Sequence, residues 1–286
     1  MITILGTGLL GAGFTRALRK RGDAVRVWNR TADKARALEA EGATAVADVV
    51  EAVRGAERIH VVLADDAAVD AVLAAAAPGL APGALVIDHS TTSTAGARDR
   101  TARWREIGVV YQHAPVFMGP QNAADSTGLM LLSGDREIVA RLTPLLSPLT
   151  GKLVDLGPRV DAAAAFKLLG NLFLMALTAG FTDMLALGKA MSVAPTELAT
   201  LFEHFNPGGS VPARFKRMID GDYDHPSWEL AMARKDARLM QDEADLAGIA
   251  LTMLPAVAAL MDRSIAGGHG HADWTVVAKD FVVGIR

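Results

Sequence analysis

Residues 161–191 read DAAAAFKLLGNLFLMALTAGFTDMLALGKAM, 31 positions without a proline and rich in Ala, Leu and Met. That composition favours a single helix, roughly 45 Å long at about 1.5 Å per residue. Asp161 is expected to cap its start and Gly188 to mark a fray near its far end. Lys167 and Asn171 stand four positions apart, which places an ammonium and an amide on one face, one turn from each other. Strand and helix patterns alternate before this stretch, and nothing after Met191 reads as a strand. The stretch therefore divides two unlike halves.

Its apolar run from Leu168 to Leu187 is long enough to raise the question of a membrane span. Asn171 and Asp183 argue against one, because a carboxylate at bilayer depth costs about 2.5 to 3.5 kcal/mol. A helix apolar nearly all round is better explained by burial on several sides, within its own domain and against a second subunit.

Composition narrows the function. At 286 residues the chain is long enough for two domains. A net charge of −3 leaves no electrostatic footprint for nucleic acid or anionic lipid. Without cysteine there is no disulfide, no thiolate nucleophile and no cysteine-ligated metal. MITILGTG enters a strand-like run with no basic leader, so a cytoplasmic location is the expectation.

Ile2 to Leu5 form a short apolar run that ends in Gly6-Thr7-Gly8-Leu9-Leu10-Gly11, and a helical pattern continues through Arg21. This is the strand, glycine turn and helix of the G-x-G-x-x-G fingerprint. Gly6 permits the tight turn, Gly8 lets a pyrophosphate approach the backbone, and Gly11 allows the helix to pack closely on the strand. Leu9 and Leu10 open that helix, whose free N–H groups face the phosphates.

A second strand, Ala24 to Trp28, ends in Asn29-Arg30-Thr31. An acid normally stands near this place when a ribose 2′-hydroxyl is bound. Here Asn29 is uncharged, and Arg30, Thr31 and Lys34 suit a 2′-phosphate dianion. The cofactor is expected to be NADP(H) rather than NAD(H).

Ile59 to Leu63 and Leu85 to Asp88 are near-continuous apolar runs of the kind buried in a parallel sheet. Helical patterns between strands point to an α/β fold, a Rossmann-like doubly wound sheet whose ligands lie beyond the carboxyl ends of its strands. Asp66, Ser90, Thr91 and Ser93 fall on that edge, although serines and threonines there also serve as helix caps. Val109 to Tyr111 is the next strand, and Gly128 to Ser133 and Lys152 to Leu156 are expected to continue the sheet. Gly157-Pro158 ends it, so the first domain is expected to span 1–159 and an all-α domain 160–286, joined through the long helix.

The fingerprint, the Asn-Arg-Thr ending, the segment DHSTTS (88–93) and the Lys167/Asn171 pair follow one another in the order that resembles the β-hydroxyacid dehydrogenase family. That family includes 3-hydroxyisobutyrate dehydrogenases and is related to 6-phosphogluconate dehydrogenase and to imine reductases. The resemblance runs over essentially the whole chain, through Lys235-Asp236 to Gly270-x-x-Asp273. It implies that Leu63, Ala64 and Thr91 line the nicotinamide side and that Lys235 closes over the cofactor. It also implies that Ser90 to Ser93 match the family's D-x-S-T-x-S segment with Ser90 and Ser93 near substrate, that Lys167 is the catalytic lysine and that Asn171 orients the substrate, with Ser93 a further catalytic candidate.

One departure stands out. The family's D-A-P-V-S-G-G, which looks after the substrate carboxylate, reads His113 to Gly119 here, with Phe117 and Met118 in place of Ser and Gly. Two bulky apolar groups at a substrate-binding loop point to a larger or less charged substrate.

In the second half, Pro195 to Phe205, Ala213 to Ile219, Trp228 to Leu246 and Leu254 to Ala266 read as helices, with a loop at Asn206 to Ser210. Asp220-Gly221-Asp222 lacks the spacing of a calcium loop, and His269 and His271 lack a third ligand, so no metal is expected.

The expected activity is an NADP-dependent carbonyl or semialdehyde reductase acting on a hydroxyacid or related alcohol and its carbonyl partner, with Lys167 as general acid. An unperturbed lysine near 10.4 is charged in all but roughly one molecule in 2,500 at neutral pH, which suits reduction. Two other readings stand beside it: an imine reductase acting on C=N bonds, and a non-catalytic NADPH-binding redox sensor. A homodimer or homotetramer is expected.

Overall fold

The computed structural model describes residues 1–282; the last four positions expected in the second domain, 283–286, lie outside the described residues. The chain packs as two compact units that divide within one helix, after Leu172.

The first unit opens with β1 (Ile2–Leu5), the glycine turn and α1 (Leu9–Lys20), then β2 (Val25–Trp28), α2 (Ala32–Arg36), β3 (Thr44–Ala45) and α3 (Val49–Val53). It continues with β4 (Arg58–Val61), α4 (Asp66–Ala76), β5 (Leu85–Asp88), α5 (Thr94–Glu106) and β6 (Val110–His113). The six strands pair in the order β3-β2-β1-β4-β5-β6, all parallel, so the chain steps outward from β1 in both directions. Successive side chains serve opposite faces: Ile2 and Ile4 pack with Phe14 and Leu18, whereas Leu5 packs with Ile59, Val61 and Leu73. Both faces of β1 and β5 are buried, which is why Ile2–Leu5 and Leu85–Asp88 read as near-continuous apolar runs, whereas β2 nearer the edge alternates. The sheet reverses beside β1, so the glycine turn and the exits of β4 and β5 share one edge, where ligands of such folds bind.

The expected continuation of this sheet beyond β6 is corrected. β7 (Val116–Phe117), β8 (Leu129–Leu132) and β9 (Lys152–Asp155) form a second, three-stranded sheet, β7 antiparallel and β9 parallel to β8. α6 (Pro120–Ala124) and α7 (Arg136–Leu146) lie between these strands in sequence.

α8 runs over Ala162–Ala190, 29 residues in one piece. Asp161 does not cap it through its side chain, because Arg98 and Arg159 take that carboxylate. Ser133, at the exit of β8, accepts the Ala163 N–H at 2.9 Å in its place.

The second unit carries the remainder of α8 with α9 (Pro195–His204), α10 (Val211–Asp220), α11 (Leu230–Leu246), α12 (Leu254–Ser264) and α13 (Lys279–Val282). No strand occurs in it among the described residues beyond a single bridge, Glu229 with Asp273. Leu230, Ala233 and Ala237 of α11 pack on Met261 and Val276. Gly188 is not a fray: it lies inside α8, where a Cβ would fall 2.6 Å from Leu198 Cδ1. By length and composition α8 is long and apolar enough to cross a membrane. Its Asp183, however, accepts the N–H groups of Thr252, Met253 and Leu254 at 2.7 to 2.8 Å and caps α12. Burial works against that charge, but the three donors outweigh it and hold the carboxyl below its ordinary range.

Candidate active site

The glycine turn shows why each of its glycines is needed. Gly6 sits at φ +96°, and a Cβ there would meet Val62 O at 2.2 Å. A Cβ on Gly11 would lie 2.0 Å from Gly6 O, so the helix reaches the turn only because that side chain is missing. At Gly8 nothing lies within 4 Å of where a Cβ would stand: its face is open, and it opens α1 without a side-chain cap, leaving the first helical N–H groups unpartnered. Thr7 Oγ1 is buried beside them with no hydrogen-bond partner. An open backbone face at a helix N-terminus with an orphaned hydroxyl fits a pyrophosphate.

Asn29 ties this turn to the next. The Thr7 N–H donates to Asn29 Oδ1 at 3.1 Å, and Asn29 Nδ2 donates to the Thr31 carbonyl at 3.0 Å. An amide offers both an acceptor and a donor whereas a carboxylate only accepts, so an acid here would lose the second bond. Arg30, Thr31 and Lys34 are exposed, and the neighbouring Asp33 is turned to Arg36.

A cleft of about 470 Å³ lies along this edge and brings together Gly6, Gly8, Leu9, Leu10, Asn29, Leu63, Ala64, Ser90, Thr91, Met118 and Lys167. Val62, His89 and Val116 also line it and were not singled out from sequence; each directly follows or opens a strand, the one signal that could have found them. Lys34 lines a neighbouring cleft of about 360 Å³ on the other side of the turn. Gly11 stands behind the turn. Gly119 is the N-cap of α6, and its N–H donates to Asn122 Oδ1. Ser93 spends its hydroxyl on the N-terminus of α5, accepting the Gly96 N–H at 2.9 Å. Lys235 belongs to the second unit, where its ammonium pairs with Asp236 at 2.7 Å. His269 there accepts from Lys279, and His271 faces Glu229.

Among the cleft-lining side chains, Lys167 carries the formal charge. It is 9% exposed, and its Nζ donates to Asn171 Oδ1 at 3.0 Å. The ammonium also lies 4.2 Å from the centre of the Phe117 ring, within reach of a cation–π attraction. Burial pulls the Lys167 pKa below its ordinary value. Phe117 reaches this place because position 170 is glycine: a Cβ there would fall 2.3 Å from the ring. Gly170 is thus a residue of the site that sequence reading passed over.

The cleft floor is stiffened from behind. Ser90 Oγ accepts the Leu63 N–H at 2.9 Å, joining the exits of β4 and β5. Behind it, His89 Nδ1 lies 2.7 Å from the Ala114 carbonyl, which only accepts, so that nitrogen carries hydrogen. His89 Nε2 then accepts from His60 Nδ1 at 2.9 Å, and His60 Nε2 accepts from Arg58 Nε at 3.3 Å. Every ring nitrogen is used once, and both histidines are neutral. Phe14 stacks on His89 at 4.7 Å between centroids.

These features define a cofactor-binding α/β domain with a buried lysine at its cleft, and comparison with known proteins names the group. Residues 1–157 match the model for the NAD binding domain of 6-phosphogluconate dehydrogenase, and residues 162–280 that for the NAD-binding region of NADP-dependent 3-hydroxyisobutyrate dehydrogenase. The chain belongs to the β-hydroxyacid dehydrogenase family and is an oxidoreductase of that family with an NAD(P)-binding domain. It is 27% identical to the 3-sulfolactaldehyde reductase of Escherichia coli (strain K12) over 97% of this chain and 94% of that one. It is 28% identical to the NAD-dependent L-serine dehydrogenase of Pseudomonas aeruginosa over 98% and 97%. Among solved structures it resembles the imine reductase from Myxococcus stipitatus in complex with NADP+, with a TM-score of 0.91 at 20% identity over 98% and 99% of the two chains, a likeness of fold.

Proposed function

We propose that this protein is an NADPH-dependent carbonyl reductase in which Lys167 is the proton donor. The observation that carries the reading is the buried Lys167 ammonium at the same cleft as the open face of Gly8, held by Asn171 at 3.0 Å. The backbone of Gly6, Gly8, Leu9, Leu10 and Gly11 would hold the pyrophosphate. Asn29, Arg30, Thr31 and Lys34 would take the adenosine end with its 2′-phosphate. Leu63, Ala64 and Thr91 would line the nicotinamide, and Lys235 is proposed as a further cofactor-binding residue. When bound, the cofactor supplies the hydride.

The protein's own task is one proton. Asn171 accepts one N–H of the ammonium and leaves two for the substrate oxygen. As negative charge grows on that oxygen, Lys167 stabilises it and then gives up a proton, a transfer eased by the lowered pKa. Phe117 and Met118, beside Lys167, offer no hydroxyl or charge to a carboxylate, which favours an uncharged carbonyl compound over a simple hydroxyacid. Reduction of C=N bonds is the second reading: an iminium arrives already protonated and needs no proton from Lys167, whereas the buried Lys167 ammonium opposes a cation at this place.

We infer further that residues 1–159 form the cofactor domain and 160–286 a substrate and dimerisation domain of a cytoplasmic homodimer or homotetramer. NADPH consumption across semialdehydes, 2-ketoacids, uncharged aldehydes and cyclic imines tests the activity. Turnover of uncharged carbonyl compounds supports the first reading, and turnover of imines alone supports the second. Binding of NADPH without turnover on any of them overturns both in favour of a redox sensor.

A further inference from the structure

We propose that Arg100 and Tyr111, which do not line the cleft, are positioning residues that hold the segment Ser90 to Ser93 at the nicotinamide end of the cofactor site; this rests on the placement of the nicotinamide beside Leu63, Ala64 and Thr91. The segment leaves β5 and enters α5. Its first N–H, from Ser90, donates to Asp88 Oδ1 at 2.9 Å, and its last, from Ser93, donates to Asp66 Oδ2 at 2.9 Å. The second oxygens of the same two carboxylates are joined to each other. Tyr111 Oη donates to Asp88 Oδ2 at 2.5 Å and accepts Arg100 Nε at 3.0 Å, while Arg100 Nη2 donates to Asp66 Oδ1 at 2.6 Å. The ring of contacts is closed: both ends of four residues are tied through one guanidinium and one phenol.

Burying an arginine costs several kcal/mol unless its donors are met. Arg100 is 1% exposed, and its remaining amino group reaches Asp70 at 3.3 Å. An ion pair serving stability alone would have no reason to end on two backbone N–H groups of one short segment. Gly96 adds an independent sign. It lies inside α5, where alanine is ordinarily better by about 1 kcal/mol. Yet a Cβ there would stand 1.9 Å from Asp66 Oδ1 and 2.7 Å from Arg100 Nη2, so the bare position lets the pair meet. Between the two anchors, Ser90 Oγ holds the Leu63 N–H, and His113 Nε2 donates to the Ser90 carbonyl at 2.9 Å. What the clamp fixes is thus the placement of Ser90 and Thr91 in the cleft.

Tyr111→Phe removes the bridging hydroxyl and keeps the packed ring, and Gly96→Ala sets a Cβ against both Asp66 and Arg100, parting them while both residues are kept. Both variants are compared with wild type for binding of NADPH and of 2′,5′-ADP, which carries only the adenosine half, and for amide exchange over residues 89–94. The expected result is NADPH weakened by about tenfold in each variant, with 2′,5′-ADP within about twofold of wild type and faster exchange over the segment. Equal weakening of both probes would show a general loss of structure, and no weakening of either would show that the clamp holds nothing the cofactor needs. A wild type that binds neither probe would sink the cofactor reading instead; unchanged exchange over 89–94 in both variants would then overturn the clamp by itself.

Discussion

The ammonium of Lys167 and the ring of Phe117 lie face to face, 4.2 Å from Nζ to the ring centre, with Gly170 clearing the space for the ring. This contact changes what the lysine can meet. An aromatic face steadies the cation without neutralising it, so the charge remains for a substrate oxygen. A serine in its place would offer an O–H to a substrate carboxylate, whereas Phe117 offers only its ring.

Phe117→Ser combined with Met118→Gly should therefore shift preference toward carboxylated carbonyl compounds. The expected change in relative kcat/KM is about one to two decades, the worth of one or two hydrogen bonds to a charged group. Wild-type enzyme preferring glyoxylate or succinic semialdehyde over propanal and butanal by more than about tenfold would mean that backbone N–H groups already hold the anion.

Arg30 is exposed at the end of β2, free to meet a 2′-phosphate. Arg30→Asp is expected to weaken NADPH by about one to two decades while leaving NADH nearly unchanged, because a phosphate partner becomes a repelling charge. Equal losses for both cofactors in a titration would show that Arg30 does not read the phosphate.

The buried histidines set an acid limit. Burial drives His89 down from its ordinary value to about 4, with His60 and His113 moved in the same direction. Below the unfolded value near 6.5 the unfolded chain takes up protons that the folded chain refuses, so stability falls as the pH drops from about 6.5 toward 4. His89 alone should cost about 2 kcal/mol at pH 5 relative to pH 7. Urea unfolding midpoints at the two pH values measure it; equal midpoints would show that these rings are not held neutral.

Much of this site was legible because its parts are local. The turn at Gly6, Gly8 and Gly11 announces itself in six residues, through the positive φ of Gly6 and the close approach of Gly11 to it, and Lys167 with Asn171 through one turn of helix. What stayed hidden depends on neighbours far along the chain. An apolar strand such as Leu129–Leu132 looks the same in either sheet, and the two-residue Val116–Phe117 that captures it is too short to carry a pattern. Asp161 is a good cap residue in isolation, but Arg98, 63 positions away, holds its carboxylate. The Arg58, His60 and His89 chain and the closed ring around Arg100 likewise exist only once β4, β5 and β6 are side by side. Gly170 was invisible for the converse reason: a missing side chain says nothing until something occupies the gap.

Along α8 the single chain leaves Leu169 62%, Leu172 65% and Met175 67% exposed. A row of that kind at helical spacing calls for a cover. Light scattering at micromolar concentration should find a dimer or a larger even oligomer, and Leu169→Glu with Leu172→Glu should dissociate it. A monomeric wild type would contradict the expected assembly.

The role of Lys167 is tested most directly by kcat/KM for NADPH-dependent carbonyl reduction in wild type and Lys167→Ala across pH. In the wild type the rate should hold at neutral pH and fall as the ammonium deprotonates, at a pH below the ordinary lysine value because burial lowers it. Lys167→Ala should lose about two to four decades at neutral pH and show no such fall. A variant that reduces carbonyl compounds at the wild-type rate, with the same pH profile, would contradict the assignment of Lys167 as proton donor.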